Sequence, residues 1–123
     1  MKSFFKISII TIALAIGFFY ARHDLKNNIM EGNAVLIDVR THDEYKNGYL
    51  NGAVNVPLDD IETKITDIIP DKTTPVYVYC RSGRRSGIAE EKLKKMGYTA
   101  IHNMGGFKNA KDKLNLSVVK TTE

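Results

Sequence analysis

Val76-Tyr77-Val78-Tyr79-Cys80-Arg81-Ser82-Gly83-Arg84-Arg85-Ser86-Gly87-Ile88 is the stretch whose reading decides the fold. Its first four residues are β-branched or aromatic, the composition of a short strand. Cys80 then opens a polar loop, and a helix is predicted to begin near Ser86. Arg81, Arg84 and Arg85 follow the cysteine closely. A thiol at the carboxyl end of a strand, facing a helix N-terminus, is an anion site with a nucleophile built into it.

Outward from this stretch, strands and helices alternate. Ala34-Val35-Leu36-Ile37-Asp38-Val39 is a nearly continuous apolar run, as expected for a strand covered on both faces. Thr41-His42-Asp43-Glu44 has the pattern of a capping box, opening a short helix that closes at Gly48. Tyr49 to Gly52 reads as a turn, and Ala53 to Val56 as a second strand stopped by Pro57. Ile61, Ile65, Ile68 and Ile69 mark one face of a helix running from Leu58 to Pro70. Beyond the cysteine loop, Ile88, Ala89, Leu93 and Met96 form an apolar helical stripe ended by Gly97. Glu90 with Lys94 and Glu91 with Lys95 have the spacing of surface ion pairs. Thr99 to His102 is a further strand, Gly105-Gly106 a sharp turn, and residues 107–123 a short helix with a polar tail. This alternation predicts an α/β fold with a mostly parallel central sheet and helices on both faces. Ligands of such sheets collect outside the carboxyl ends of the strands, where Cys80 sits.

The 123 residues suffice for one domain, and 43% hydrophobic with 26% charged content is ordinary for a globular chain. Residues 1–21 carry Lys2 and Lys6 and no acids, leaving 16 basic against 14 acidic side chains elsewhere. A body so nearly neutral, with no basic stripe interleaved with aromatics, argues against a nucleic-acid partner. Met1-Lys2-Ser3-Phe4-Phe5-Lys6 followed by the apolar run Ile7 to Ala21 has the form of an export signal, and is shorter than the ~20 residues of a spanning helix. The expected layout is a signal or N-terminal membrane anchor over 1–21, a linker over 22–29 running into a short helix stopped by Gly32, one domain over 30–113, and a polar tail over 114–123. The expected location is the periplasm. An exported chain with a single cysteine has no intrachain disulfide, so Cys80 reads as a reactive thiol.

The loop favours a thiolate on three counts. Successive N–H groups of a tight turn form an anion nest. The helix beginning near Ser86 presents its positive dipole end. The arginines add full charges. Such surroundings lower a cysteine pKa from ~8.5 to about 3.5–7.5. Gly83 fits a position that needs positive φ or no side chain. Cys80 is therefore the candidate catalytic residue, and Arg81, Ser82, Gly83, Arg84 and Arg85 are the candidate substrate-binding residues. Arg84 is expected to make the main contact and Arg85 the least. Cysteine phosphatases place an arginine six positions after the nucleophile. That position here is Ser86, so phosphate or arsenate chemistry is disfavoured. No Cys-x-x-Cys is present, which disfavours a dithiol oxidoreductase. His23, His42 and His102 lack ligand-like spacing, so no metal site is expected.

Three segments resemble the single-domain rhodaneses. They are Leu36-Ile37-Asp38-Val39-Arg40 with Glu44-Tyr45, Gly48 and Gly52 to Pro57; the loop Cys80 to Arg85; and Met96-Gly97-Tyr98-Thr99 through Gly105-Gly106-Phe107. Together they cover about residues 30–110. Tyr49, where the family often has histidine, and Asn109-Ala110, where an aromatic often follows the Gly-Gly pair, depart from the pattern. The resemblance implies a rhodanese-like fold and a thiosulfate sulfurtransferase with a Cys80 persulfide. It implies thiosulfate as donor, cyanide or a thiol as acceptor, and no cofactor. It further implies that Asp38 and Arg40 support the site through an ion pair, with Ser86 as a further supporting residue. A monomer is expected. The rival reading is a non-catalytic rhodanese-fold module that binds a partner or senses stress, which would need neither the cysteine nor the basic loop.

Overall fold

A computed structural model describes residues 12–14, 16–17 and 24–121 of the chain. The elements run in order as α1 over 24–30, β1 (Val35–Asp38), α2 (His42–Lys46), β2 (Tyr49–Leu50) and β3 (Ala53–Asn55). A 3-10 turn (Leu58–Asp60) leads into α3 (Ile61–Ile68), followed by β4 (Val76–Cys80) and α4 (Arg84–Lys95). The chain ends in β5 (Ile101–Gly106), α5 (Phe107–Leu114) and β6 (Val118–Val119). The export reading falls mostly on residues outside the described set. Among the described residues no helix is long and apolar enough to cross a membrane.

The main sheet has the order β3-β1-β4-β5 with every pairing parallel. Connections from β1 go first outward to β3 and then back past β1 to β4. The strand order thus reverses between β1 and β4, and the crevice outside their carboxyl ends is the place where such sheets hold ligands. Asp38 ends one of these strands and Cys80 the other.

Helices cover both faces, as the alternation required. All five residues of β4 are buried, and their alternating directions split the core in two. Val76, Val78 and Cys80 join Ile37, Val39, Ile61, Ile65 and Leu93 under α3 and α4. Tyr77 and Tyr79 join Leu36, Leu50, Ala110 and Leu114 under α5. The segment expected as a linker into a short helix is helical over 24–30, and Ile29 packs into this second cluster. Gly32, at φ +81°, ends it.

The capping box forms as expected, with the Thr41 hydroxyl accepting from the Glu44 N–H and the Glu44 carboxylate accepting from the Thr41 N–H. Four expectations need correction. Helix α4 starts at Arg84, two residues before the expected Ser86, because Gly83 at φ +104° turns the chain directly into it. Tyr49-Leu50, read as turn, is a strand antiparallel to β6, which lies in the segment read as polar tail. Two-residue strands carry no periodicity, so only the long-range pairing reveals them. Of the two surface pairs on α4, Glu90–Lys94 forms at 3.5 Å, whereas Lys92 reaches Glu62 on α3 and Glu91–Lys95 is not formed.

The fourth correction concerns the site directly. Gly105-Gly106 is not a turn but the end of β5. Val78 pairs with Asn103 and Cys80 with Gly106, so β5 carries one extra residue at a bulge, with Gly105 at φ +75°. A Cβ at Gly106 would sit 2.9 Å from the Arg81 carbonyl oxygen. The second glycine is there for close backbone approach.

Candidate active site

The loop from Cys80 to Ser86 is braced from outside by main chain. Ser82 bridges to Gly106, and the Phe107 N–H donates to the Arg81 carbonyl at 3.3 Å. Inside this brace the Cys80 sulfur accepts the Gly83 N–H at 2.9 Å and lies 3.6 Å from the Ser86 hydroxyl. That hydroxyl reaches the Gly83 carbonyl at 3.0 Å and the Gly105 carbonyl at 3.4 Å, which fixes its place. Cys80 and Ser86 are both 0% exposed. Burial by itself pushes the thiol up, but the Ser86 hydroxyl and the N–H groups of Ser86, Gly83 and Ser82 outweigh it, so the thiol sits below its ordinary range.

The three loop arginines part company. Arg85 makes a bidentate pair with Glu44, Nη1 to Oε1 at 2.6 Å and Nη2 to Oε2 at 3.0 Å. This pair holds the Glu44 carboxyl down at about 2. Arg81 and Arg84 are exposed and have no ion-pair partner among the described residues. Glu44 is the residue that sequence reading missed at this site. Its capping role was legible, but its partner lies 41 positions away, and no local pattern encodes that pairing.

Beside the cysteine loop stands the loop that follows β1. The Asp38 carboxylate accepts from the Arg40 main-chain N–H at 2.9 Å, from Nε at 3.0 and 3.1 Å, and from Nη2 at 2.7 Å. Arg40 Nη2 also donates to the Gly48 carbonyl at 2.6 Å. Its guanidinium lies 4.8 Å from the Phe107 ring centroid and 5.8 Å from that of Tyr79. Asn55 closes the loop by donating to the Asp38 and Arg40 carbonyls, both at 3.0 Å. The ion pair implied by the resemblance is present, and it is buried.

The structure therefore gathers Ser82, Gly83 and Ser86 around the Cys80 sulfur, commits Arg85 to Glu44, and sets Asp38 and Arg40 on the adjoining strand end. Arg81 and Arg84 project outward. A parallel sheet whose switch point presents a buried thiol in an N–H-lined loop defines a cysteine-loop α/β domain. Within that class the sequence matches the rhodanese-like domain over residues 21–113, and the chain belongs to that family. Over 73 residues it is 45% identical to thiosulfate sulfurtransferase PspE of Escherichia coli, an alignment covering 59% of this chain and 70% of that protein. It is 46% identical over 76 residues to YqhL of Bacillus subtilis, covering 61% of this chain and 59% of the relative. Among solved structures, a rhodanese with anions from E. coli superposes with a TM-score of 0.66 at 40% identity, covering 72% of this chain and 99% of that one. A thiosulfate sulfurtransferase from Pseudomonas aeruginosa shares the fold, with a TM-score of 0.72 at 23% identity over 82% of this chain and 19% of its own.

Proposed function

We propose that this chain is a thiosulfate sulfurtransferase working by double displacement through a persulfide on Cys80. One observation carries the reading: a buried sulfur held by the Gly83 N–H at 2.9 Å, in a loop whose donors keep the thiol below its ordinary range. A small loop lined by N–H groups suits one added sulfur. Its family and its likeness to a thiosulfate sulfurtransferase support the same conclusion.

In the first half-reaction the Cys80 thiolate attacks the outer sulfur of thiosulfate. The sulfur–sulfur bond of the donor breaks, sulfite leaves with the bonding pair, and Cys80 carries a persulfide. N–H groups from Arg81 to Arg85 receive the negative outer sulfur. Arg84 draws the dianion in, and Arg85, tied to Glu44, contributes charge without leaving its partner. Ser86 orients the nucleophile, and the Asp38–Arg40 pair keeps the neighbouring strand end rigid. In the second half-reaction a thiol or cyanide takes the outer sulfur and Cys80 leaves as thiolate. The steps require no metal or organic cofactor.

Incubation of the protein with thiosulfate should add the mass of one sulfur at Cys80, and Cys80→Ser should lose both that adduct and thiocyanate formation. Full activity in the serine variant would refute the mechanism. The same reading takes residues 1–21 as a signal or membrane anchor that delivers a monomeric domain to the periplasm. Mass spectrometry of the protein recovered from cell fractions would report the mature N-terminus.

A further inference from the structure

The β5 bulge lies against the two residues that face the Cys80 sulfur, Ser86 through its hydroxyl at 3.6 Å and Gly83 through its N–H at 2.9 Å. The Gly105 carbonyl accepts from the Ser86 hydroxyl at 3.4 Å. A Cβ placed on Gly83 would have the Gly105 Cα as its nearest neighbour, at 3.7 Å. One residue further on, Gly106 bridges to Ser82, and the Phe107 N–H donates to the Arg81 carbonyl. The path of the main chain through Gly105 therefore sets the wall on which the cysteine loop rests. A glycine at φ +75° has no side chain to select that path, so the selection comes from its neighbours.

Two asparagines make it. The peptide group joining Met104 to Gly105 is gripped on both sides: its N–H donates to Asn103 Oδ1 at 2.9 Å, and its carbonyl accepts from Asn109 Nδ2 at 2.7 Å. Because the peptide unit is planar, fixing its N–H and its carbonyl fixes the orientation of the whole group at the entry to Gly105. The two amides act in opposite senses, one as acceptor and the other as donor. Asn103 lies on β5, and Asn109 stands in the first turn of α5. Both are exposed, so neither is needed to fill the core. Asn109 is also one of the two positions after the glycine pair that depart from the rhodanese pattern.

We infer that Asn103 and Asn109 form a clamp that positions the cysteine loop: by locking the Met104–Gly105 peptide they aim the Gly105 carbonyl at Ser86 and hold the Ser86 hydroxyl and the Gly83 N–H against the sulfur. The clamp serves the sulfur-transfer site proposed above, and neither asparagine touches the reacting atoms.

The test compares Asn103→Ala, Asn109→Ala, Asn103→Asp and Asn109→Asp in the full chain, reading the rate of Cys80 alkylation by uncharged iodoacetamide across pH. The charged and titratable groups of the surrounding elements are the same in all four: Arg81, Arg84, the Arg85–Glu44 and Asp38–Arg40 pairs, His102 and Lys108. Each alanine variant should react about fivefold more slowly at mildly acidic pH, the worth of one ordinary hydrogen bond, and hardly differ at high pH. Asn103→Asp keeps the acceptor and should restore the parent profile. Asn109→Asp has no donor and sets a carboxylate against the Met104 carbonyl, so it should be at least as slow as Asn109→Ala. Charge alone would move the two aspartate variants together, whereas the clamp moves them apart. Thiosulfate loading of Cys80, followed by mass in single turnovers, should fall in the same order. A parent-like profile in either alanine variant, slowing that is uniform across pH, or aspartate variants that behave alike would overturn the clamp. Failure of thiosulfate to load the parent protein would overturn the proposed function, while the alkylation profiles would still decide the clamp.

Discussion

Two loops leave the same edge of the sheet from neighbouring strands, and they solve opposite problems. The loop after β1 buries its charges and satisfies them with each other: the Asp38 carboxylate takes four contacts from Arg40. The loop after β4 buries a sulfur and satisfies it with main-chain N–H groups and one hydroxyl. A side-chain counter-ion would neutralise a nucleophile and block its approach. Backbone donors stabilise the anion and leave its outer side free for a second sulfur. The first loop is held by its ion pair; the second holds a sulfur with main-chain donors.

The largest expected effect comes from unbalancing the ion-paired loop. Asp38→Ala strands a guanidinium that is nine-tenths buried, and should cost about 3–5 kcal/mol in urea unfolding. Replacing both partners with apolar residues should return most of that stability. If the double variant is as unstable as the single, the pair does more than compensate charge, and the contrast between the loops weakens.

A smaller effect is expected at Ser86→Ala, which removes the hydroxyl 3.6 Å from the sulfur and leaves the backbone donors in place. The thiol should rise toward its ordinary value. Because the thiolate is the reacting form, alkylation by iodoacetamide should slow by roughly tenfold at mildly acidic pH, about one hydrogen bond to a charged acceptor, and hardly change at high pH. A uniform loss at every pH would point to displaced geometry in place of a changed thiol. The buried hydroxyl carries this prediction, and the pH profile separates the two outcomes.

The smallest effect belongs to the contact that links the loops. Glu44 has its carboxyl held at about 2, against 4.5 for the free group, chiefly by Arg85. A depressed carboxylate contributes stability that is fully present above its unfolded value and is lost as pH falls through the folded one. Glu44→Gln should therefore destabilise the protein by about 1 kcal/mol at neutral pH, the modest worth of a partly exposed pair. The difference from the parent should fade between about pH 4.5 and pH 2 in acid titration of stability. A difference that persists at pH 2 would assign the effect to the capping box, whose hydrogen bonds an amide also perturbs.

Local chemistry was legible along the chain. Cys80, Gly83 and Ser86 lie within one short contiguous stretch, so spacing alone announced a thiol in a tight loop before a helix. The Thr41–Glu44 box and the isoleucine stripe of α3 were equally plain, since their partners lie within a turn or two. What failed to show depended on chain that arrives from far away. Gly105-Gly106 has the composition of a turn, yet it extends a strand because the Arg81 carbonyl leaves no room for a side chain. The β2–β6 ribbon joins segments nearly seventy residues apart in sequence, with too few residues for any period.

Sequence by itself determined the alternation of strands and helices, the position of the lone cysteine at a strand end and the family to which the chain belongs. Periodicity, capping and turn chemistry act over a few residues, and a linear reading captures them. Only the tertiary structure decided which arginine is committed to Glu44, which are left facing solvent, and that Arg40 is tied at once to Asp38 and to the Gly48 carbonyl. Those outcomes follow from where the parallel sheet sets its strand ends side by side, and distances across a sheet are not written in the spacing of residues along a chain.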